Sequence, residues 1–168
     1  SLARLLLTAL DAELGRLFAG MGPDLLARTL VVFLGDNGTP DSAVLPPYNP
    51  NHAKGSMYEE GVHVPLLVAG PGVTPGVTDR LAHAVDLFPT FAAVAGIDAL
   101  PDGRTFDGVS LWPVLRDPGA PPPRRWVYGE VFSPLGVGPH RNHLRMIRDT
   151  RFKLILDDAR AYLRYTDR

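Results

Sequence analysis

Apolar residues recur at three- and four-residue steps over the first twenty positions. Leu2, Leu6, Ala9, Leu10, Leu14 and Leu17 share one side of a helical wheel, with the charges mostly on the other. This spacing predicts an amphipathic helix stopped by Gly20 and Gly22, and Asp24 is placed to open one more short turn. The pattern then changes. Residues 29–34, TLVVFL, form a continuous apolar run with β-branched and aromatic members, and residues 63–70, HVPLLVAG, read the same way. Such runs suit strands covered on both faces, as in a parallel sheet. The segment between them, 35–60, carries Pro40, Pro46, Pro47 and Pro50 and predicts a long loop of the kind that usually has a function.

Further along, AVDLFPTFAAVAGI, residues 84–97, predicts a helix with Asp86 as cap, Pro89 in its first turn and Gly96 at its end. Turn-rich residues 98–109 lead to a short helix over SLWPVL, 110–115. RDPGAPPPRR, 116–125, is too dense in proline for helix or central strand and reads as a linker. WVYGEVF, HLRMIRD and RFKLILD then predict three short strands, with a tight turn at Asp149-Thr150 and antiparallel pairing. The expected fold class is α/β. Residues 1–118 would hold part of a mixed, mostly parallel sheet flanked by helices, and residues 119–168 a small antiparallel sheet.

Composition narrows the function classes. The 168 residues carry a formal net charge of −1 with the signs interspersed, which argues against a nucleic-acid or membrane-surface partner. Cysteine is absent, which removes disulfides, thiolate metal sites and a cysteine nucleophile. No apolar run approaches the length of a membrane span. The leucine-rich start is interrupted by Arg4, Asp11, Glu13 and Arg16, unlike a signal peptide. The chain also begins without methionine, as a processed product, an engineered segment or a piece of something longer would.

The candidate chemistry lies at the end of the first apolar run. Asp36 and Asn37 follow Leu34 with Gly35 and Gly38 on either side. Ligands of open α/β sheets sit beyond the carboxyl ends of strands. Adjacent strand residues point to opposite faces, so both side chains can serve one ligand only if the backbone bends, and the glycines permit that. A carboxylate and an amide oxygen suit Ca²⁺ or Mg²⁺, although Asp, Asn and Gly also make plain turns. Late in the long loop, Lys54 opens KGS. A lysine near a hard cation would make an electropositive pocket for a tetrahedral oxyanion, and an ordinary solvated lysine is the alternative.

In order, TLVVFLGDNG, KGSMYEEGVHVPLLVAGPGV, VDLFPTFAAVAGI, DGVSLWPVL and MIRDTRFKLI resemble the C-terminal portion of the sulfatase family, arylsulfatase-like hydrolases of the alkaline-phosphatase-like superfamily. The resemblance runs from about the first helix to Leu156. It implies that Asp36 and Asn37 are ligands of Ca²⁺ or Mg²⁺ and that Lys54 contacts the sulfate of a small-molecule or saccharide sulfate ester. A formylglycine hydrate would attack sulfur. Two departures are local: Glu59-Glu60-Gly61 stands where Glu-Gly-Gly is common, and His63 where arginine is common. Glu59 is then expected to accept hydrogen bonds that hold the loop. A third is an absence. The family's Cys/Ser-x-Pro/Ala-x-Arg motif and its paired N-terminal acids have no match, and Ser1-Leu2-Ala3-Arg4 places its arginine one position early.

The expectation is therefore a sulfatase-like segment that contributes metal ligands and a lysine and lacks the nucleophile. It would bind metal weakly and be inactive alone. A phosphonate or phosphate ester hydrolase of the same superfamily, or a truncated non-catalytic binding module, are the alternatives. His52, two positions before Lys54, is a secondary candidate to donate to a sulfate oxygen or leaving group. His83 is expected to pack at a helix start, and Trp112 and Trp126 in the core or at a domain junction. His140, Arg141, His143 and Arg145 form a basic cluster, and Glu130 stays open between a structural and a substrate role. Apolar faces left exposed would favour self-association.

Overall fold

The computed structural model describes residues 2–97, 103–105, 107–134, 137–140, 142–157 and 160–165. They fall into two compact units. One comprises Ser1–Lys54 with Glu59–Val73, and the other Gly55–Tyr58 with Thr74–Arg168.

In the first unit, α1 (Leu2–Met21) runs through Gly20 and ends at Gly22, whose φ of 73° breaks the helix. Gly22 then starts α2 (Pro23–Leu26), with proline where a missing N–H costs nothing. None of α1 is buried, and Leu2 is 72% exposed. β1 (Val31–Leu34) and β2 (Leu66–Ala69) form a two-stranded sheet with Val31 opposite Ala69 and Leu34 opposite Leu66.

That pairing is antiparallel, which corrects the expectation of a mostly parallel sheet. Among the described residues both sheets are antiparallel. A parallel return needs a crossover, usually a helix. Between β1 and β2 the only α-helix is the four-residue α3 (Glu59–Val62), accompanied by 3₁₀ turns at Asp41–Ala43 and Pro50–His52. The strands are also not covered on both faces. β1 is half-buried throughout, and β2 alternates, with Leu67 59% exposed.

The second unit holds the larger core. β3 (Val127–Ser133), β4 (Asn142–Arg148), β5 (Phe152–Asp157) and β6 (Arg160–Tyr165) pair in chain order as an antiparallel meander. The first three are the expected strands, and β6 is a fourth that the apolar pattern did not mark. Asp149 makes the β4–β5 turn. Its N–H donates to the Phe152 carbonyl, and its Oδ1 accepts from the N–H groups of Arg151 and Phe152 at 2.7 and 2.6 Å. One sheet face is buried through Val127, Met146 and Ile155. Gly129 leaves room there, since an added Cβ would lie 3.1 Å from Met146 Cε and 3.6 Å from Met57 Sδ.

The helices α4 (Leu87–Val94) and α5 (Trp112–Arg116) are organised by Asp86. The sequence reading made Asp86 a cap of α4, but its carboxylate caps nothing in that helix. It is 0% exposed and accepts from the N–H of His83 at 2.8 Å, the N–H of Val109 at 2.9 Å and the guanidinium of Arg124. Four donors at one site satisfy a buried carboxylate. Thr90 continues the network, donating to the Asp86 carbonyl and accepting from the N–H of Leu111. The proline-rich stretch is likewise tied down. Arg80 donates to the carbonyls of Pro118 and Ala120, and Thr74 to those of Leu115 and Arg116. Among the described residues no helix is long and apolar enough to cross a membrane.

Candidate functional site

The Asp36–Asn37 bend belongs to the first unit and is held from both sides. Before it, the N–H of Gly35 donates to the Pro65 carbonyl at 3.0 Å, extending the β1–β2 ladder by one bond. After it, the N–H of Thr39 donates to the Glu60 carbonyl at 2.9 Å, and the Thr39 carbonyl accepts from the N–H of Lys54 at 2.8 Å. Gly38 is buried beneath α3, where a Cβ would lie 2.3 Å from the Gly61 carbonyl oxygen and 2.4 Å from that of Glu60. Only glycine fits such an approach. The chain therefore bends at 36–37 because its flanks are fixed, and both side chains stand exposed on that bend.

Lys54 follows the 3₁₀ turn Pro50–His52 and the buried Ala53. The turn is opened by Asn49, whose Oδ1 accepts from the N–H of Asn51 at 3.0 Å. The Lys54 side chain is exposed. Two residues of chain, at most about 7 Å, separate Asn37 from Thr39, which is bonded to Lys54. A lysine stem is long enough to reach across that distance. His52 sits half-buried in the same turn, its N–H donating to the Asn49 carbonyl at 2.9 Å. The Glu59 carbonyl accepts from the N–H of His63 at 2.7 Å, an i→i−4 bond open to any residue there, and its carboxylate lies 3.6 Å from His63 Nδ1. Glu60 is helical and no non-glycine residue has positive φ among the described residues, so glutamate in place of glycine strains nothing here.

The donors suit a hard cation, and they are few. Among the described residues no group of three or more His, Asp or Glu gathers to hold a metal. Asp36 and Asn37 offer three side-chain oxygens at most, against the six to eight that Ca²⁺ takes. The bend can supply part of a coordination sphere and leaves the remainder to water or other groups.

Thr39 was invisible to sequence reasoning, because its backbone carbonyl, not its side chain, joins the two loops. In the second unit His83 caps the 3₁₀ turn Ala84–Asp86, and its Nε2 lies 2.8 Å from the Tyr128 carbonyl oxygen. Glu130 accepts from the Tyr128 hydroxyl at 2.7 Å and lies 3.3 Å from His143 Nε2. These two hydrogen bonds hold its carboxyl below the usual glutamate range, and the same bond pushes the Tyr128 hydroxyl up. Phe132, His140 and His143 cluster as a triangle of rings, Phe132 lying 4.6 Å from His140 and 5.4 Å from His143, with the two imidazoles 6.4 Å apart. Arg141, the remaining member of the expected basic cluster, lies outside the described residues, as does Ser1.

One unit carries a polar bend at the end of a strand, the other an antiparallel meander with helices, and the chain is of the α/β class. The sequence comparisons make this specific. Residues 6–97 match the sulfatase family, and the chain belongs to it. It is 42% identical over 122 residues to human arylsulfatase A, covering 69% of this chain and 24% of that protein. The chain thus spans about a quarter of the length of that relative. A structure solved in complex with its substrate, D-glucosamine-2-N,6-O-disulfate, matches 95% of this chain and 32% of its own at TM-score 0.72 and 25% identity. A phosphonate monoester hydrolase from Silicibacter pomeroyi shares the fold, with TM-score 0.67 and 24% identity over 92% of this chain and 32% of its own.

Proposed function

We propose that this chain supplies the metal-ligand and lysine loops of a sulfate ester hydrolase. In this reading Asp36 and Asn37 are two ligands of a divalent cation, Ca²⁺ or Mg²⁺, and the Lys54 ammonium binds the sulfate group. The observation that carries it is the 2.8 Å hydrogen bond from the Lys54 N–H to the Thr39 carbonyl, which draws the lysine loop to the Asp-Asn bend. A bound cation would supply Lewis-acid polarisation of the sulfate oxygens. Lys54 would hold the anion by charge and orient it, and its attraction grows as negative charge builds on the sulfate oxygens. His52 is a secondary candidate to donate to a sulfate oxygen or to the leaving group. The substrate class is a small-molecule or saccharide sulfate ester, supported by the disulfated glucosamine bound by the solved relative.

The 168 residues contain no cysteine and no Cys/Ser-x-Pro/Ala-x-Arg motif, so a formylglycine nucleophile has no place in them. We therefore expect weak metal binding and no turnover by these residues alone. Two measurements test the reading. Calorimetric titration with Ca²⁺ should give a dissociation constant near or above about 1 mM, lost in Asp36→Ala. Aryl sulfate hydrolysis, with and without Ca²⁺, should not exceed buffer, and a phosphonate monoester should behave alike. Ca²⁺ binding that ignores Asp36→Ala would remove the metal-ligand assignment. Turnover that Asp36→Ala abolishes would remove the inactivity.

A further inference from the structure

Four asparagines occur in the chain. Asn49 precedes proline, Asn51 and Asn142 precede histidine, and Asn37 alone precedes glycine. The following residue matters because its backbone nitrogen can attack the asparagine side chain and close a five-membered imide. Proline has no N–H to give up, and histidine crowds its own nitrogen with a side chain. Glycine has neither obstacle. Asn37-Gly38 is therefore the asparagine pair whose sequence favours ring closure.

The folded chain leaves that reaction open. Asn37 is exposed on the bend after β1, and no hydrogen bond to the described residues holds its amide. The N–H of Gly38 has no acceptor among the described residues either. The backbone bonds that fasten the bend lie before it, at Gly35, and after it, at Thr39. Ring closure therefore breaks no hydrogen bond among the described residues. It does meet a steric limit. Gly38 lies beneath α3, where an added Cβ would stand 2.3 Å from the Gly61 carbonyl oxygen, so the peptide between 37 and 38 turns in a confined space. Closure in the folded chain is then slower than in the unfolded one, and not abolished. Asn49 and Asn51 differ from Asn37 in being engaged, since the Asn49 Oδ1 accepts from the N–H of Asn51 at 3.0 Å.

We propose that Asn37 is a site of spontaneous deamidation, which places a second carboxylate beside Asp36. The Gly38 nitrogen bonds to Asn37 Cγ, the Cγ–Nδ2 bond breaks, and Nδ2 leaves as ammonia with the Gly38 proton. Solvent water then opens the imide. Breaking the bond from the Gly38 nitrogen to Cγ gives aspartate. Breaking its bond to the Asn37 carbonyl carbon gives isoaspartate, with the main chain running through Cγ. One water is consumed and one ammonia released, with no oxidation or reduction. The modification does not depend on the metal reading of the bend. Its effect on Ca²⁺ does rest on that reading: a second carboxylate raises the ligand charge, and Asn37→Asp should tighten Ca²⁺ binding about tenfold.

The full chain is aged in warm, mildly alkaline buffer, folded and in urea. The tryptic peptide 29–54 carries Asn37, Asn49 and Asn51 together, so mass spectrometry with fragmentation compares all three in one molecule. The amide-to-acid mass gain should accumulate at Asn37 at least about tenfold faster than at Asn49 or Asn51. Ammonia should appear in equal amount, and the gain should be faster at higher pH and faster in urea than in the folded chain. Asn37→Gln should remove the gain, because its ring would need six members. The proposal fails if the folded chain keeps its Asn37 amide while the chain in urea loses it, because the fold then locks the pair. It fails equally if Asn49 or Asn51 reacts as fast, or if the gain persists in Asn37→Gln. Deamidation at Asn37 with Ca²⁺ binding unchanged in Asn37→Asp would uphold the modification and remove residue 37 from the metal ligands.

Discussion

At the scale of single residues, the site is shaped by groups that carry no chemistry. Gly38 has none, yet its missing side chain lets the bend lie against α3. In Gly38→Ala the new methyl would meet two backbone carbonyls, which cannot rotate away as a side-chain tip could. We expect a loss of about 1–3 kcal/mol in urea denaturation, together with weaker Ca²⁺ binding because the 36–37 bend moves. Asp86 plays a comparable part in the second unit. Asp86→Ala would leave Arg124, whose side chain is 12% exposed, without its carboxylate and two backbone N–H groups without an acceptor. The cost should be about 3–5 kcal/mol, read from the shift in denaturation midpoint. Its sequence context, a short polar residue before an apolar run, reads as an ordinary helix cap. Beyond the local bond to His83, the partners come from positions 109 and 124, which no local pattern connects.

At the scale of elements, the hairpin of β4 and β5 depends on a titrating group. Asp149 has its carboxyl below the ordinary value of 3.8, first because the N–H of Phe152 and then that of Arg151 donate to it. A depressed carboxylate contributes stability that is fully present above its unfolded value and lost as pH falls through its folded value. Glu130, lowered by Tyr128 and His143, acts in the same direction. The hairpin should therefore hold its stability from about pH 5 upward and weaken below about pH 4. Denaturation midpoints across that range test this, and in Asp149→Asn the acid-side decline should be shallower. This turn and the three strands around it were legible from alternation and from Asp149-Thr150. β6 was not, because RAYLRY mixes charge and apolar residues too evenly for a periodic signal. Its partner β5 establishes it through the Phe152–Tyr165 to Asp157–Arg160 register.

At the scale of the molecule, the apolar stripe of α1 is the largest unmet demand. The periodicity read it as one face of a helix seeking a cover. In the structure Leu2, Leu5, Leu6, Leu7, Leu10 and Leu17 are all exposed. A continuous apolar stripe in water favours association with another copy. Sedimentation of the chain at rising concentration should show reversible self-association, reduced by the double substitution Leu6→Ser with Leu10→Ser. A monomer at every concentration would contradict this.

The sequence by itself determined what short-range physics controls. Helical spacing, apolar runs, proline and glycine punctuation and the ordered DNG and KGS motifs marked most elements and the family. Those signals depend on neighbours within a few residues, and they survive whatever the chain packs against. Only the tertiary structure decided that β1 and β2 run antiparallel, that Asp86 is a buried hub, that Trp126, expected in a core or junction, is 53% exposed and that Thr39 joins the two loops. The strand pairing, the Asp86 contacts with Val109 and Arg124 and the Thr39–Lys54 bond span fifteen to forty positions, and most of them use backbone carbonyls and N–H groups common to every residue, so no letter of the sequence can announce them.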